Sequence, residues 1–227
     1  ALAEADAAQI SIAALQCGIT PLVRLPSHDA YGACRVLDAG ALGVIVPHVE
    51  TAEQAQAMVQ ACRFAPLGRR SVAGSWPHLA YRQTAPDEAR RLIDASTMVV
   101  VMLETPQAIA QADAIAAVPG VDILHVGSTD LCEAMDIPGR FDDPALLRSF
   151  ERVVAACRAH GKFAGAGGLA QAPQVMQQVL RAGVRFASAG NEWDFMLSAA
   201  RQRVASLRAL PLEPHAAASI RRPGAAP

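Results

Sequence analysis

Six short apolar runs, separated by stretches of helical periodicity, recur from one end of the chain to the other, and no other feature restricts its fold so tightly. They are "PLVRL" (21–25), "GVIVP" (43–47), "MVVVMLE" (98–104), "DILHVG" (122–127), "KFAGAG" (162–167) and "RFASAG" (185–190). None alternates strictly between apolar and polar residues, which is the pattern of strands covered on both faces, as in a parallel sheet. The intervening helices have legible starts: Thr51 before "AEQAQAMVQACRF", Thr105 followed by Pro106, and Asp142 or Asp143 before "PALLRSFERVVAACRAHG". A helix "EADAAQISIAALQC" comes first, and "APQVMQQVLRAG" (172–183) and a last helix over 191–210 complete the series. Strand followed by helix throughout predicts an α/β fold with right-handed crossovers.

A doubly wound sheet would carry a glycine-rich phosphate turn after its first strand, but neither G-x-G-x-x-G nor G-x-x-x-x-G-K-S/T occurs, and "GAGG" (165–168) is a weak imitation. A (β/α)8 barrel in a single domain over 1–210 fits better, although it needs eight strands where six are read. The tail 211–227 has no apolar period and is expected to be disordered. "APLGRRSVAGSWPHLAYRQTAPDEA" (65–89) reads as a loop, and loops of that length in a compact domain tend to be functional. Because the chain opens on Ala1 and not on Met, a processed or truncated start is the expectation.

A net charge of −1, with 18 % charged and 52 % hydrophobic residues, argues against a nucleic-acid surface or a disordered protein and favours a small neutral or anionic ligand. The longest apolar stretches, such as "TMVVVML" (97–103), are too short to span a bilayer, and no signal segment opens the chain, so a cytoplasmic protein is expected. Cys17, Cys34, Cys62, Cys132 and Cys157 lie far apart without a CxxC pair, as buried thiols would, and not as a zinc site or a disulfide framework.

In barrels the reactive groups sit at the C-terminal ends of strands. Here those ends offer Arg24, His48, Glu104, Ser128, Thr129 and Asp130. Glu104 and Asp130 close consecutive strands, and neighbouring carboxylates repel unless a proton or cation lies between them. Oxygen ligands with open water positions suit Mg²⁺ or Mn²⁺; the plainer alternative is that each carboxylate caps the helix that follows it. Arg24 falls inside an apolar run, where a guanidinium requires an anion: a substrate carboxylate, or a structural partner in Asp38 or Glu104. Asp38 lies near a helix C-terminus, where the dipole disfavours a carboxylate, and it needs a hydrogen-bonded partner. His48 follows a strand end and His125 lies within a strand; both are candidate bases, although a lone histidine is more often structural.

The segments "PLVRLP", "LDAGALGVIVPHVETAEQA", "PLGRRSV", "VVVMLETPQAI", "VDILHVGSTDLCEAMDIPG" and "RFASAGNEWDFM" follow one another as in the HpcH/HpaI aldolase family, which the chain resembles over 10–205. Within that family it is similar to 2-dehydro-3-deoxyglucarate and 4-hydroxy-2-oxoheptanedioate aldolases. The citrate lyase β and malyl-CoA lyase group is a more distant likeness. The resemblance implies a TIM barrel of the phosphoenolpyruvate/pyruvate type and a lyase that cleaves a 4-hydroxy-2-oxo acid to pyruvate and an aldehyde through a metal-stabilised enolate. Glu104 and Asp130 would bind the divalent metal (Mg²⁺ or Mn²⁺, with Co²⁺ as an alternative). Arg24 would contact substrate and stabilise the enolate, and Gly127, Ser128 and Thr129 would receive the pyruvate carboxylate. Asp38 would orient a catalytic histidine. The implied assembly is a homo-hexamer, a trimer of dimers, with the last helix exchanged between neighbours.

The resemblance also has gaps. Family members carry two further βα units before the arginine strand, the second ending on a Glu-His pair, and those strands are missing from this chain. "RRS" (69–71) replaces an Arg-Gly pair, and Gly167 stands where a larger apolar residue often borders the pyruvate site. Lys162, the only lysine, lies at the N-terminal edge of its strand, which excludes a Schiff-base route. Without the acid/base histidine, the alternatives are an oxaloacetate decarboxylase alone or a non-catalytic relative that binds ligand or oligomerises.

Overall fold

The computed structural model describes residues 2–72 and 74–211. The tail expectation therefore falls, apart from Pro211, outside the described residues. The chain divides into two compact units, Ala1–Ser188 and Ala189–Pro227.

In the first unit the strands are β1 (Val23–Arg24), β2 (Gly43–Val46), β3 (Met98–Leu103), β4 (Ile123–Gly127), β5 (Phe163–Gly167) and β6 (Phe186–Ala187). Its helices are α1 (Glu4–Gln16), α2 (Ala30–Asp38), α3 (Ala52–Cys62), α4 (Pro86–Ser96), α5 (Pro106–Ala110), α6 (Ala112–Ala116), α7 (Ser128–Ala134), α8 (Pro144–Ala159) and α9 (Pro173–Ala182). All six strands are parallel and stand in chain order, each beside its successor. A doubly wound sheet reverses its order part-way, whereas single winding with right-handed crossovers stacks the helices on one face, as in a β/α barrel. The sheet ends at β1 and β6, open where an eight-stranded barrel would close.

Alternation along each strand separates the two faces. Val44 and Val46, Val99, Val101 and Leu103, Leu124 and Val126, and Ala164 and Ala166 join one core with helix residues such as Leu37, Met58, Ile115 and Phe150. The residues between them, including Met102, His125 and Gly165, turn to the other face, and Glu104 and Gly127 continue that row at the C-terminal ends. β1 and β6 are shorter than the runs predicted for them because each is an edge strand with one hydrogen-bonded neighbour.

The helix starts follow the predicted capping chemistry. Thr51, Thr105 and Asp143 accept from the amides of Gln54, Ala108 and Ala145. The long stretch after α3 is only partly a loop: α4 begins at Pro86, and Phe64, Trp76, Ala89 and Ile93 form a second small core. All five cysteines are free, with Cys62, Cys132 and Cys157 buried, Cys34 half-buried and Cys17 exposed. No helix among the described residues is long and apolar enough to cross a membrane.

In the second unit, α10 (Glu192–Arg208) is capped by Asn191, whose side chain accepts from the Asp194 amide. The helix buries none of its residues, and Trp193, Phe195, Met196, Leu197, Val204 and Leu207 are all exposed.

Candidate active site

β3 runs out at Leu103, and the next side chain, Glu104, is almost wholly buried at 2 % exposure. Oε2 of Glu104 is held twice by one residue: it accepts from the His48 backbone N–H at 2.8 Å, and the His48 imidazole Nδ1 stands 2.9 Å away. His48 reaches it from just beyond β2 with φ of 51°, a left-handed conformation that costs a residue with a Cβ about 1 kcal/mol or more. The turn thus directs backbone and side chain of one residue at a single carboxylate oxygen. The other oxygen, Oε1, is buried without a hydrogen-bond partner among the described residues. Burial pushes the Glu104 carboxyl above its ordinary range; the bonds from His48 oppose that rise and the neighbouring Asp130 adds to it.

Gly127 ends β4 beside this carboxyl, and a Cβ there would lie 2.8 Å from Oε1, so glycine is what the close approach requires. The chain then enters α7, which carries Asp130 in its first turn. Arg24, Glu104, Gly127, Ser128, Thr129 and Asp130 line one cavity of about 220 Å³ at the C-terminal ends of the strands. Ser128 is fully buried and its Oγ lacks a partner among the described residues. Among those residues no group of three or more His, Cys, Asp and Glu side chains is placed to hold a metal. Two carboxylates, one with a buried free oxygen, nevertheless fit a hard divalent cation that takes its remaining oxygens from water or substrate.

Arg24 and Asp38 stand in different surroundings. Arg24 is exposed on β1, an edge strand of the sheet; it lines the cavity but makes no ion pair among the described residues. Asp38 has the partner its helix position demands, but that partner is Arg70, whose NH2 donates at 2.9 Å and Nε at 3.3 Å. The Arg70 guanidinium is buried 5.0 Å from the ring centroids of both Phe64 and Trp76. Asp38 thus holds Arg70 and is not among the residues that line the cavity. His125, by contrast, sits on the cavity floor beneath Gly127 and Gly167. The clamp by His48 was not foreseen; its one signal in the sequence is a histidine directly after a strand end in "VPHV".

The model of the HpcH/HpaI aldolase/citrate lyase family matches residues 2–199. A 4-hydroxy-4-methyl-2-oxoglutarate aldolase of Hapsidospora irregularis is 46 % identical over 170 residues, which cover 74 % of this chain and 63 % of that protein. A protein of the same name from Chaetomium globosum is 45 % identical over the same shares. The chain therefore spans 63 % of the length of these two relatives. Among solved structures, an HpcH/HpaI aldolase from Desulfitobacterium hafniense superposes with a TM-score of 0.83 at 26 % identity, covering 93 % of this chain and 81 % of the other. With strand order, cavity and these likenesses in agreement, the chain belongs to the HpcH/HpaI aldolase/citrate lyase family.

Proposed function

We propose that the cavity is the 2-oxo acid site of a divalent-metal-dependent aldolase that cleaves a 4-hydroxy-2-oxo acid to pyruvate and an aldehyde. The observation that carries this reading is Glu104: a buried carboxyl, one oxygen clamped by His48 and the other free, beside Asp130 at the mouth of a parallel sheet. A carboxyl buried in this way costs stability unless something uses it.

Glu104 and Asp130 would hold Mg²⁺ or Mn²⁺, with Co²⁺ as an alternative. Such a cation, when bound, supplies Lewis-acid stabilisation of the charge that develops on a keto oxygen. Around it, His48 fixes the orientation of Glu104. The guanidinium of Arg24 offers paired donors to a carboxylate or enolate oxygen. The buried Ser128 hydroxyl and the amides by Gly127 and Thr129, at the start of α7, would offer further donors to the pyruvate carboxylate. The names of the two relatives support a 4-hydroxy-2-oxo acid with a second carboxylate.

In this reading the sheet is part of a barrel of the phosphoenolpyruvate/pyruvate type, in one domain that extends through α10. The assembly would be a homo-oligomer, a hexamer of three dimers in which neighbours exchange α10, and the apolar side chains exposed on that helix support its use as an interface. The absence of a membrane-crossing helix among the described residues fits a cytoplasmic enzyme.

The test is pyruvate release from oxaloacetate and from 4-hydroxy-4-methyl-2-oxoglutarate, with Mg²⁺ or Mn²⁺ and after EDTA, for the protein and its Glu104→Gln variant. Release from both substrates, dependent on metal and lost in the variant, is the expected result. Release from oxaloacetate alone would replace the aldolase with a decarboxylase, and release from neither would remove the catalytic reading.

A further inference from the structure

At the N-terminal end of β5, opposite the candidate active site, three basic side chains converge on a second pocket. Arg158 in the last turn of α8, Lys162 just before β5 and Arg185 just before β6 line a space of about 210 Å³, with Val154, Cys157 and Ala164 as its apolar part. No carboxylate lines it, and none of the three cations makes an ion pair among the described residues. Asp122, whose carbonyl accepts from the Phe163 amide at the start of β5, gives its carboxylate to Arg63 and the Val99 amide. Burial pushes the Cys157 thiol up to about 11, and the charge that acts against this rise is the Lys162 ammonium.

Both arginines are fixed by the turn after α9. Arg158 donates to the Ala182 carbonyl at 2.8 Å, and Arg185 to the carbonyls of Leu180 at 3.0 Å and Val184 at 2.8 Å. Gly183 leaves space for this: its φ is 131°, and a Cβ there would stand 2.6 Å from Arg158 NH2. Closing off a helix C-terminus accounts for one nitrogen of each guanidinium. It leaves the other donors of each rigid fork to be used, and it gives Lys162 no role.

Like charges gathered in this way repel one another, and an anion among them removes the repulsion. We propose that this pocket binds a phosphoryl group, carried by inorganic phosphate or by a small phosphomonoester. A phosphoryl group brings close to two negative charges and three acceptor oxygens on one centre, which suits three converging cations; a carboxylate brings one charge and two oxygens in a plane. The volume is below the roughly 300 Å³ at which drug-sized ligand sites begin, so the body attached to the phosphoryl group is short. The pocket and the candidate active site stand at the two ends of β5, about 15 Å apart, so a group bound here takes no part in the chemistry of that cavity.

The experiment titrates the EDTA-treated protein in chloride buffer with inorganic phosphate, glycerol 3-phosphate and malonate, read by backbone amide ¹⁵N–¹H shifts and calorimetry. Saturable shifts are expected at Lys162–Ala164 and Gly183–Arg185 and not at Gly127–Asp130, with malonate about tenfold weaker or more. Lys162→Gln touches none of the bonds that hold the turn; it should keep the parent's Tm and weaken binding about five- to tenfold, and Lys162→Arg should retain it. Tighter binding of the ester identifies a phosphorylated metabolite and tighter binding of phosphate the free anion; either upholds the site. Equal affinity for malonate, an unchanged affinity in Lys162→Gln, shifts confined to Gly127–Asp130, or no saturation by about 10 mM phosphate would each overturn the proposal.

Discussion

The ion pair between Arg70 and Asp38 is unequal in burial, and the inequality makes a prediction that ordinary pair-deletion reasoning does not. The Arg70 side chain is 1 % exposed and the Asp38 side chain 45 %. Replacing Arg70 by Met removes the buried charge, keeps an apolar body between Phe64 and Trp76, and lets Asp38 rejoin water. The lost cation–π and charged hydrogen bonds are then largely offset by the desolvation that no longer has to be met, for a net cost of about 1 kcal/mol. Replacing Asp38 by Ala leaves a guanidinium enclosed by two rings with no counter-ion, and stranding a buried charge costs about 3 kcal/mol or more. With a urea slope of about 2.5 kcal/mol per molar, the midpoint falls by about 0.4 M for Arg70→Met and about 1.2 M for Asp38→Ala. Urea titration followed by circular dichroism at 222 nm reads both. Equal losses, or a larger loss for Arg70→Met, would refute the argument. The same pair of variants bears on Asp38 as a catalytic residue: assayed where Asp38→Ala is folded, a structural tether predicts activity comparable to that of Arg70→Met.

Three further outcomes follow from the site. The Glu104 pKa is raised by folding, so the folded state holds that proton more tightly than the unfolded chain does, and the stability it lends below its ordinary pKa is lost as pH rises through the folded value. Metal-free Glu104→Gln is therefore expected to melt above the parent protein at neutral pH and to lose both the Mn²⁺-induced rise in Tm and the pyruvate-releasing activity. His125 shifts the other way: its pKa of about 4 lies below the ordinary 6.5, so stability falls as pH drops from about 6.5 to 4, by about 3 kcal/mol over that window. In His125→Phe this acid arm of a Tm against pH curve should flatten. Gly127→Ala places a methyl 2.8 Å from Glu104 Oε1 and should abolish Mn²⁺ binding in a calorimetric titration at a stability cost of about 1–3 kcal/mol.

Much of the architecture was legible because local chemistry and topology agreed. Proline and hydroxyl or carboxyl caps marked the starts of α3, α5 and α8, and the alternation of strand and helix required a parallel sheet. Glu104 and Asp130 could be paired from sequence because consecutive strands of a singly wound sheet must be neighbours. The exposure of Arg24 was hidden for a reason that periodicity cannot reveal: its run looks like any buried strand, and only the sheet order shows that it is an edge. Asp38 was legible as a carboxylate in need of a partner, but the partner comes from Arg70, far along the chain in a segment with no period to place it.

The faces of the central strands were illegible for the opposite reason. In β4 every residue is buried, so Leu124, Val126 and His125 look equivalent by hydropathy although they point to opposite sides. What separates them is a property of the neighbouring strand: β5 reads Phe-Ala-Gly-Ala-Gly, and its two glycines face the imidazole while its two alanines face the helices. Read in isolation, "GAGG" resembled a poor phosphate loop. Set beside β4 it is a recess shaped for one side chain, and the same logic holds at Gly127, which leaves space for Glu104. The glycines of this sheet thus mark where polar side chains were admitted to its inner face.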